Sequence, residues 1–214
     1  EMGPKHRGHR PSVVTSITSD DGGKTWQRGD IVCRHGDVVA GTPVVNPSET
    51  SAVELSDGRV MFNMRSESSA QRRRVAISPD GASDWQIVGF DQALLDPVCM
   101  ASLLRCDWPV GDKPGGILFS NPDNLERKMS TAWGPIQPPN CDRKRLTIKL
   151  SEDDGQTWPV SKVLEEGPAG YSALARLVDG TILCLYECDT VNGMFDDRYL
   201  CLARFDQEWL HAAE

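Results

Sequence analysis

Ser151-Glu-Asp-Asp-Gly-Gln-Thr-Trp158 decides how this chain is read, because the same pattern stands at Ser19-Asp-Asp-Gly-Gly-Lys-Thr-Trp26. Both octapeptides place Ser, Asp, Gly, Thr and Trp at matching positions, a recurrence that chance does not readily produce in 214 residues. A third, degraded copy, Ser78-Pro-Asp-Gly-Ala-Ser-Asp-Trp85, keeps the Ser, the Asp, a shifted Gly and the Trp. Asp beside Gly, between two strand-like segments, makes a tight turn whose carboxylate can accept from nearby backbone amides. The Trp that ends each copy can lie back over the turn as a hydrophobic plug.

Outward from these turns the chain is a series of short strands. Residues 12–18 are β-branched and alternating and run into the first box, and 31–33 and 38–40 follow as short strands. Residues 53–55 and 59–65 are joined at Ser56-Asp57-Gly58, a hairpin signal that brings Glu49 and Arg65 to one rim. Residues 73–78 lead into the third copy, 99–105 and 116–120 make another pair, and 143–150 run into the second box. A second hairpin joins 170–178 to 181–187 at Asp179-Gly180, and 199–205 close the last sheet. Residues 121–141, polar and rich in proline, are too long for a tight turn and read as a binding element. With 19 Gly and 14 Pro among short apolar runs, the fold class is all-β. One turn repeated at long intervals points to a β-propeller.

A net charge of −8 argues against a nucleic-acid partner, since phosphate binding needs a basic field. The one basic run, Arg72-Arg73-Arg74, is expected at a solvated strand end. The seven cysteines, an odd number without a CxxC pair, argue against a zinc ribbon and are expected as buried free thiols. His6 and His9 stand three apart with nothing beside them to complete a metal shell, so no metal is expected. Neither a signal peptide nor a membrane segment is visible in a chain whose first residue is Glu1.

The boxes resemble the Asp-box, or BNR repeat, of sialidases and other propellers, and as such they mark a fold more than an activity. Four ordered motifs extend the likeness over most of the chain from about Arg10: residues 46–65, Ser120-Asn121-Pro122, residues 143–158 and residues 170–187. Together they resemble the exo-α-sialidases (neuraminidases) of the bacterial and animal type. The resemblance implies a six-bladed β-propeller and hydrolysis of terminal sialic acid with retention, without a cofactor, on sialylated glycans of glycoproteins, glycolipids or oligosaccharides. Such enzymes use a tyrosine nucleophile, because the anomeric carbon of sialic acid bears a carboxylate that would repel an attacking Asp or Glu. A phenol with a pKa near 10 needs a neighbouring base. The resemblance assigns Tyr171 as nucleophile and Glu49 as that base, within hydrogen-bonding reach of it. Binding the substrate carboxylate calls for arginine, whose planar fork stays charged. Arg65 and Arg143 match the second and third of the family's three arginines, with Arg145 as the less favoured alternative to Arg143. Glu187 matches the acid that orients the first arginine.

The first arginine itself and the acid-catalyst Asp have no counterpart here. At ~40 to 50 residues per blade the chain supplies roughly four blades. It is therefore expected to be one sialidase-like domain, 1–214, truncated on its N-terminal side, inactive as given and with apolar blade surface left bare. A secreted or periplasmic setting is the favoured one. The alternatives are a non-catalytic Asp-box propeller that binds glycan or protein, and a trans-sialidase.

Overall fold

The computed structural model describes residues 10–110 and 113–212, which are all-β apart from one short helix. His6 and His9 lie outside the described residues. By contact the chain falls into two compact units, Glu1–Gln92 and Ala93–Glu214.

In the first unit, β1 (Val13–Thr18) pairs antiparallel with β2 (Gln27–Arg34) across the first box. A ribbon of β3 (Val38–Val39) and β4 (Thr42–Pro43) follows. Next come β5 (Thr50–Glu54), β6 (Val60–Met64), β7 (Arg72–Ser78) and β8 (Gln86–Leu95), a four-stranded sheet in chain order. Val14, Val32, Cys33, Phe62, Met64 and Ala76 form the core, with the Trp85 ring 4.2 Å from that of Phe62.

The basic run is not solvated: Arg73 is 0% and Arg74 1% exposed. β7 is an inner strand, flanked by β6 and β8, and five of its seven residues are buried, charged ones included. Arg73 replaces water with Asn63, donating from Nε to Oδ1 at 2.6 Å and from Nη2 to the carbonyl at 3.2 Å.

The second unit contains β9 (Ser102–Val110), β10 (Lys113–Pro122), β11 (Ser130–Thr131), β12 (Gly134–Pro135), β13 (Lys144–Ser151), β14 (Val160–Arg176), β15 (Ile182–Thr190) and β16 (Asp197–Phe205). A five-residue helix, α1 (Gln207–His211), ends it and is capped by Asp206, whose side chain accepts from the Trp209 N–H. Six strands run in the order β16-β15-β14-β13-β10-β9. The 17-residue β14 serves two partners: its first half pairs with β13 up to Pro168, and its second half, from Ala169, with β15. Leu118, Leu146, Ile148, Leu150, Ile182 and Cys184 are 0% exposed and form the core. The loop expected over 121–141 contains the short ribbon β11–β12, with Trp133 at its turn and 86% exposed. Apolar surface is bare at both ends of the chain, on β1 (Val13, Ile17) and on β15 and β16 (Leu185, Leu200, Leu202).

Five cysteines are free and buried, as expected, but Cys188 and Cys201 are joined across β15 and β16. The strand register brings this pair together, and sequence spacing carries no sign of it.

The boxes are built as their composition requires. Asp21 Oδ1 accepts from the amides of Lys24 and Thr25, both at 2.9 Å, and Oδ2 from the Thr25 hydroxyl at 2.7 Å. Asp153 makes the same contacts to Thr157, at 2.8 and 2.6 Å, and Asp80 makes them to Ser83, both at 2.8 Å. These bonds, led by the Thr25 amide, hold the Asp21 carboxyl down at about 2. The tryptophans differ in burial: Trp158 is 9% exposed against Phe119, whereas Trp26 is 59% exposed and bonds its own turn at the Gly23 carbonyl.

Candidate active site

Each half of the predicted site is ordered within its own unit. In the first, Glu49 precedes β5 and Arg65 follows β6, so the Ser56-Asp57-Gly58 turn places them side by side at the other end of the hairpin. Their backbones are bonded, Arg65 N–H to the Glu49 carbonyl at 3.0 Å, and their side chains form an ion pair. The Arg65 side chain is 11% exposed and that of Glu49 34%, so the pair sits in a partly desolvated setting where charge interactions are strengthened.

In the second unit the arrangement centres on a β-bulge. Ala169 lies opposite Cys188 and Ser172 opposite Tyr186, so Gly170 and Tyr171 together face the single residue Glu187. Bulges redirect side chains and are common beside active sites. Glu187 fixes this one: its Oε2 accepts the Tyr171 N–H at 2.8 Å. Gly170 is required by that approach, since a Cβ there would collide with Glu187 Oε2 and come within 3.3 Å of its Cβ. Below the bulge, the Ser172 and Ser120 hydroxyls share a hydrogen bond of 2.8 Å.

Arg143 stands just before β13, its carbonyl accepting from the Ala169 N–H at 3.0 Å. Its guanidinium carbon lies 5.0 Å from the Tyr171 ring centroid and 4.7 Å from that of Phe195, and Nη2 donates to the Val98 carbonyl at 2.9 Å. Among the described residues no carboxylate forms an ion pair with Arg143. Arg145, two residues on, is instead engaged by Glu166 at 2.6 Å and is 46% exposed. Burial, together with the Glu187 charge, raises the Asp197 carboxyl above its ordinary range, against the pull of Arg143.

The Ser120-Asn121-Pro122 motif supports this arrangement at one remove. Asn121 Nδ2 donates to the carbonyls of Cys99 and Met100, at 3.3 and 3.0 Å, tying down the segment from which Val98 reaches Arg143. Sequence reasoning named all five of these residues and put Glu49 and Arg65 on one rim, but it assigned Glu187 to the family's first arginine and not to the Tyr171 amide. It missed Val98 and Phe195, which contact Arg143, and nothing in their local sequence announces that contact.

The family model for the BNR repeat-like domain matches residues 2–184. The chain belongs to the BNR repeat-like family. Among its relatives is a sialidase of Micromonospora viridifaciens, 38% identical over 200 residues that cover 92% of this chain and 26% of the relative. The solved Hadza microbial sialidase Hz136 is 28% identical, with a TM-score of 0.64 over 91% of this chain and 32% of that one. An intramolecular trans-sialidase from Ruminococcus gnavus shares the fold at 19% identity, with a TM-score of 0.61 over 92% of this chain and 39% of that one. The BNR family member described here therefore has an all-β fold of the sialidase propeller type, and it spans about a quarter to two-fifths of the length of these proteins. No helix among the described residues is long and apolar enough to cross a membrane, and no cluster of metal-ligating side chains occurs among them.

Proposed function

We propose that the complete protein is a retaining exo-α-sialidase that releases terminal sialic acid from glycoconjugates, and that this chain carries its nucleophile, its base and two of its carboxylate-binding arginines. The observation that carries the reading is Arg143: a guanidinium held by two aromatic rings and a carbonyl, beside Tyr171, with no carboxylate paired to it among the described residues. A substrate carboxylate would complete it through charge-assisted, bidentate hydrogen bonds. Arg65 serves as the second such donor, and its partner Glu49 as the base that takes the phenol proton.

In this scheme the Tyr171 oxygen attacks the anomeric carbon as the aglycone leaves, forming a sialyl-enzyme bond that water then breaks with net retention. Glu187 holds the Tyr171 backbone in the bulge and so sets the phenol's position. Sialidase relatives support the substrate class, and the short reach of Glu187 supports a fixed nucleophile.

The test uses the full-length protein with an aryl sialoside. Tyr171→Phe removes only the phenol oxygen; hydrolysis is expected to fall by several orders of magnitude while the melting temperature holds. A variant that hydrolyses at the parental rate with the same retained anomer would overturn the nucleophile assignment. If the parent binds sialic acid without hydrolysing it, the glycan-binding alternative stands. Transfer to added lactose in place of water would assign a trans-sialidase.

A further inference from the structure

Five of the described non-glycine residues in the second unit adopt a left-handed backbone, and two of them, Val98 at φ +65° and Phe195 at φ +76°, contact Arg143. Such conformations are strained for residues of this shape and persist where the surroundings impose them. Val98 has a local explanation: Asp96 Oδ1 accepts from the amides of Val98 and Cys99, at 3.0 and 3.3 Å, which turns the Val98 carbonyl toward Arg143. Phe195 has none. Its loop is closed by the Val191 N–H to the Asp196 carbonyl at 2.8 Å and the Asp196 N–H to the Gly193 carbonyl at 3.2 Å. Gly or Asn at 195 would make that turn without strain.

What an aromatic residue supplies there is its ring, 4.7 Å from the guanidinium carbon. The loop that carries it is anchored on both sides. The N–H of Met194 donates to the Ser130 carbonyl at 2.8 Å, and its Sδ accepts from the Arg143 N–H at 3.2 Å. Gly193 packs so closely that a Cβ would strike the Ser130 carbonyl. Met194 itself is 2% exposed, so the loop cannot swing Phe195 away without uncovering it.

We propose that Phe195 is a positioning residue: its ring, held in place by a strained and anchored loop, keeps the Arg143 guanidinium in the orientation that receives a ligand carboxylate. The inference rests on the carboxylate-binding reading of Arg143. An arginine already immobilised between ring and carbonyl loses less rotamer freedom on binding, so the stacking strengthens ligand capture more than it alters the chemical step.

The experiment compares the full-length parent with Phe195→Asn, which tolerates the left-handed backbone but removes the ring, and with Phe195→Trp, which keeps a ring. Affinity for a didehydro sialic-acid analogue, KM and kcat for an aryl sialoside, and the thermal midpoint are measured together. For Phe195→Asn, the dissociation constant and KM are expected to rise roughly 3- to 10-fold with kcat changed much less, while the midpoint holds or rises. Phe195→Trp is expected to restore the affinity. Parental affinity in Phe195→Asn, or a loss that Phe195→Trp does not restore, overturns the proposal and leaves the sialidase reading intact. A parent that neither binds nor hydrolyses overturns both.

Discussion

Gly170→Ala is expected to destabilise the chain, and the effect should change sign when Glu187 is also removed. The new Cβ would occupy the space of Glu187 Oε2, so the carboxylate must turn away and give up the 2.8 Å bond from the Tyr171 N–H. A hydrogen bond to a charged group contributes about 1.5–3 kcal/mol, and the partial exposure of Glu187 puts this one toward the lower end. Alanine recovers about 0.4–1 kcal/mol by restricting the unfolded chain, because Gly170 has no positive φ to preserve. The net expectation is a loss of about 1 kcal/mol. In a Glu187→Ala background the collision with the carboxylate disappears, and only a 3.3 Å approach to the residue 187 Cβ remains, which a shift of a few tenths of an ångström relieves. There Gly170→Ala should be neutral or stabilising. Chemical denaturation of the four proteins closes the cycle, and hydrogen exchange at the Tyr171 amide reports the lost bond directly. An equal cost of Gly170→Ala in both backgrounds would refute the account of the bulge.

Three further expectations follow from the same geometry. The Asp21 carboxyl is depressed in the folded state to about 2 from an ordinary 3.8, so its contribution is present above the ordinary value and lost as pH falls toward 2; melting curves of Asp21→Asn should lie below the parent at pH 7 and converge with it between pH 4 and 2, and a gap that stays constant over that range would exclude the carboxylate as the cause. In the full-length protein Arg143→Lys should lower kcat/KM by about 1.5–3 kcal/mol, roughly 10- to 150-fold, whereas Arg145→Lys, an exposed ion pair, should change it little; the reverse ranking would reassign the carboxylate ligand. Burial pushes the Cys184 thiol up to about 12 and that of Cys33 to about 11, so both should resist alkylation at pH 8 until the protein is unfolded, and rapid labelling of the native chain would contradict the described core.

What the sequence disclosed was local. The Asp-box turns are self-contained, each carboxylate bonding amides within four residues, so their composition alone specifies them. The Glu49–Arg65 pair was legible because a hairpin with a marked turn fixes which residues meet at its open end. Tyr171, Arg143 and Glu187 were reached through likeness to a family, and the bulge that relates them leaves only Gly170 as a trace. Arg73 and Arg74 were misread because a charge run suggests solvent, while the position of β7 inside its sheet is decided by neighbours far along the chain. Val98 and Phe195 could not have been found, since their positive φ angles run against the preference of their own side chains.

The continuity of β14 restricts how the region around Tyr171 can move. One unbroken strand is laced to β13 by its first half and to β15 by its second, with Arg143 bonded to it at Ala169 where the partners change. Two sheets joined by a loop could open like pages, but these share a spine, and parting them would break the ladder on one side or the other. Rearrangement around Tyr171 is therefore confined to side chains, while the floor beneath stays rigid.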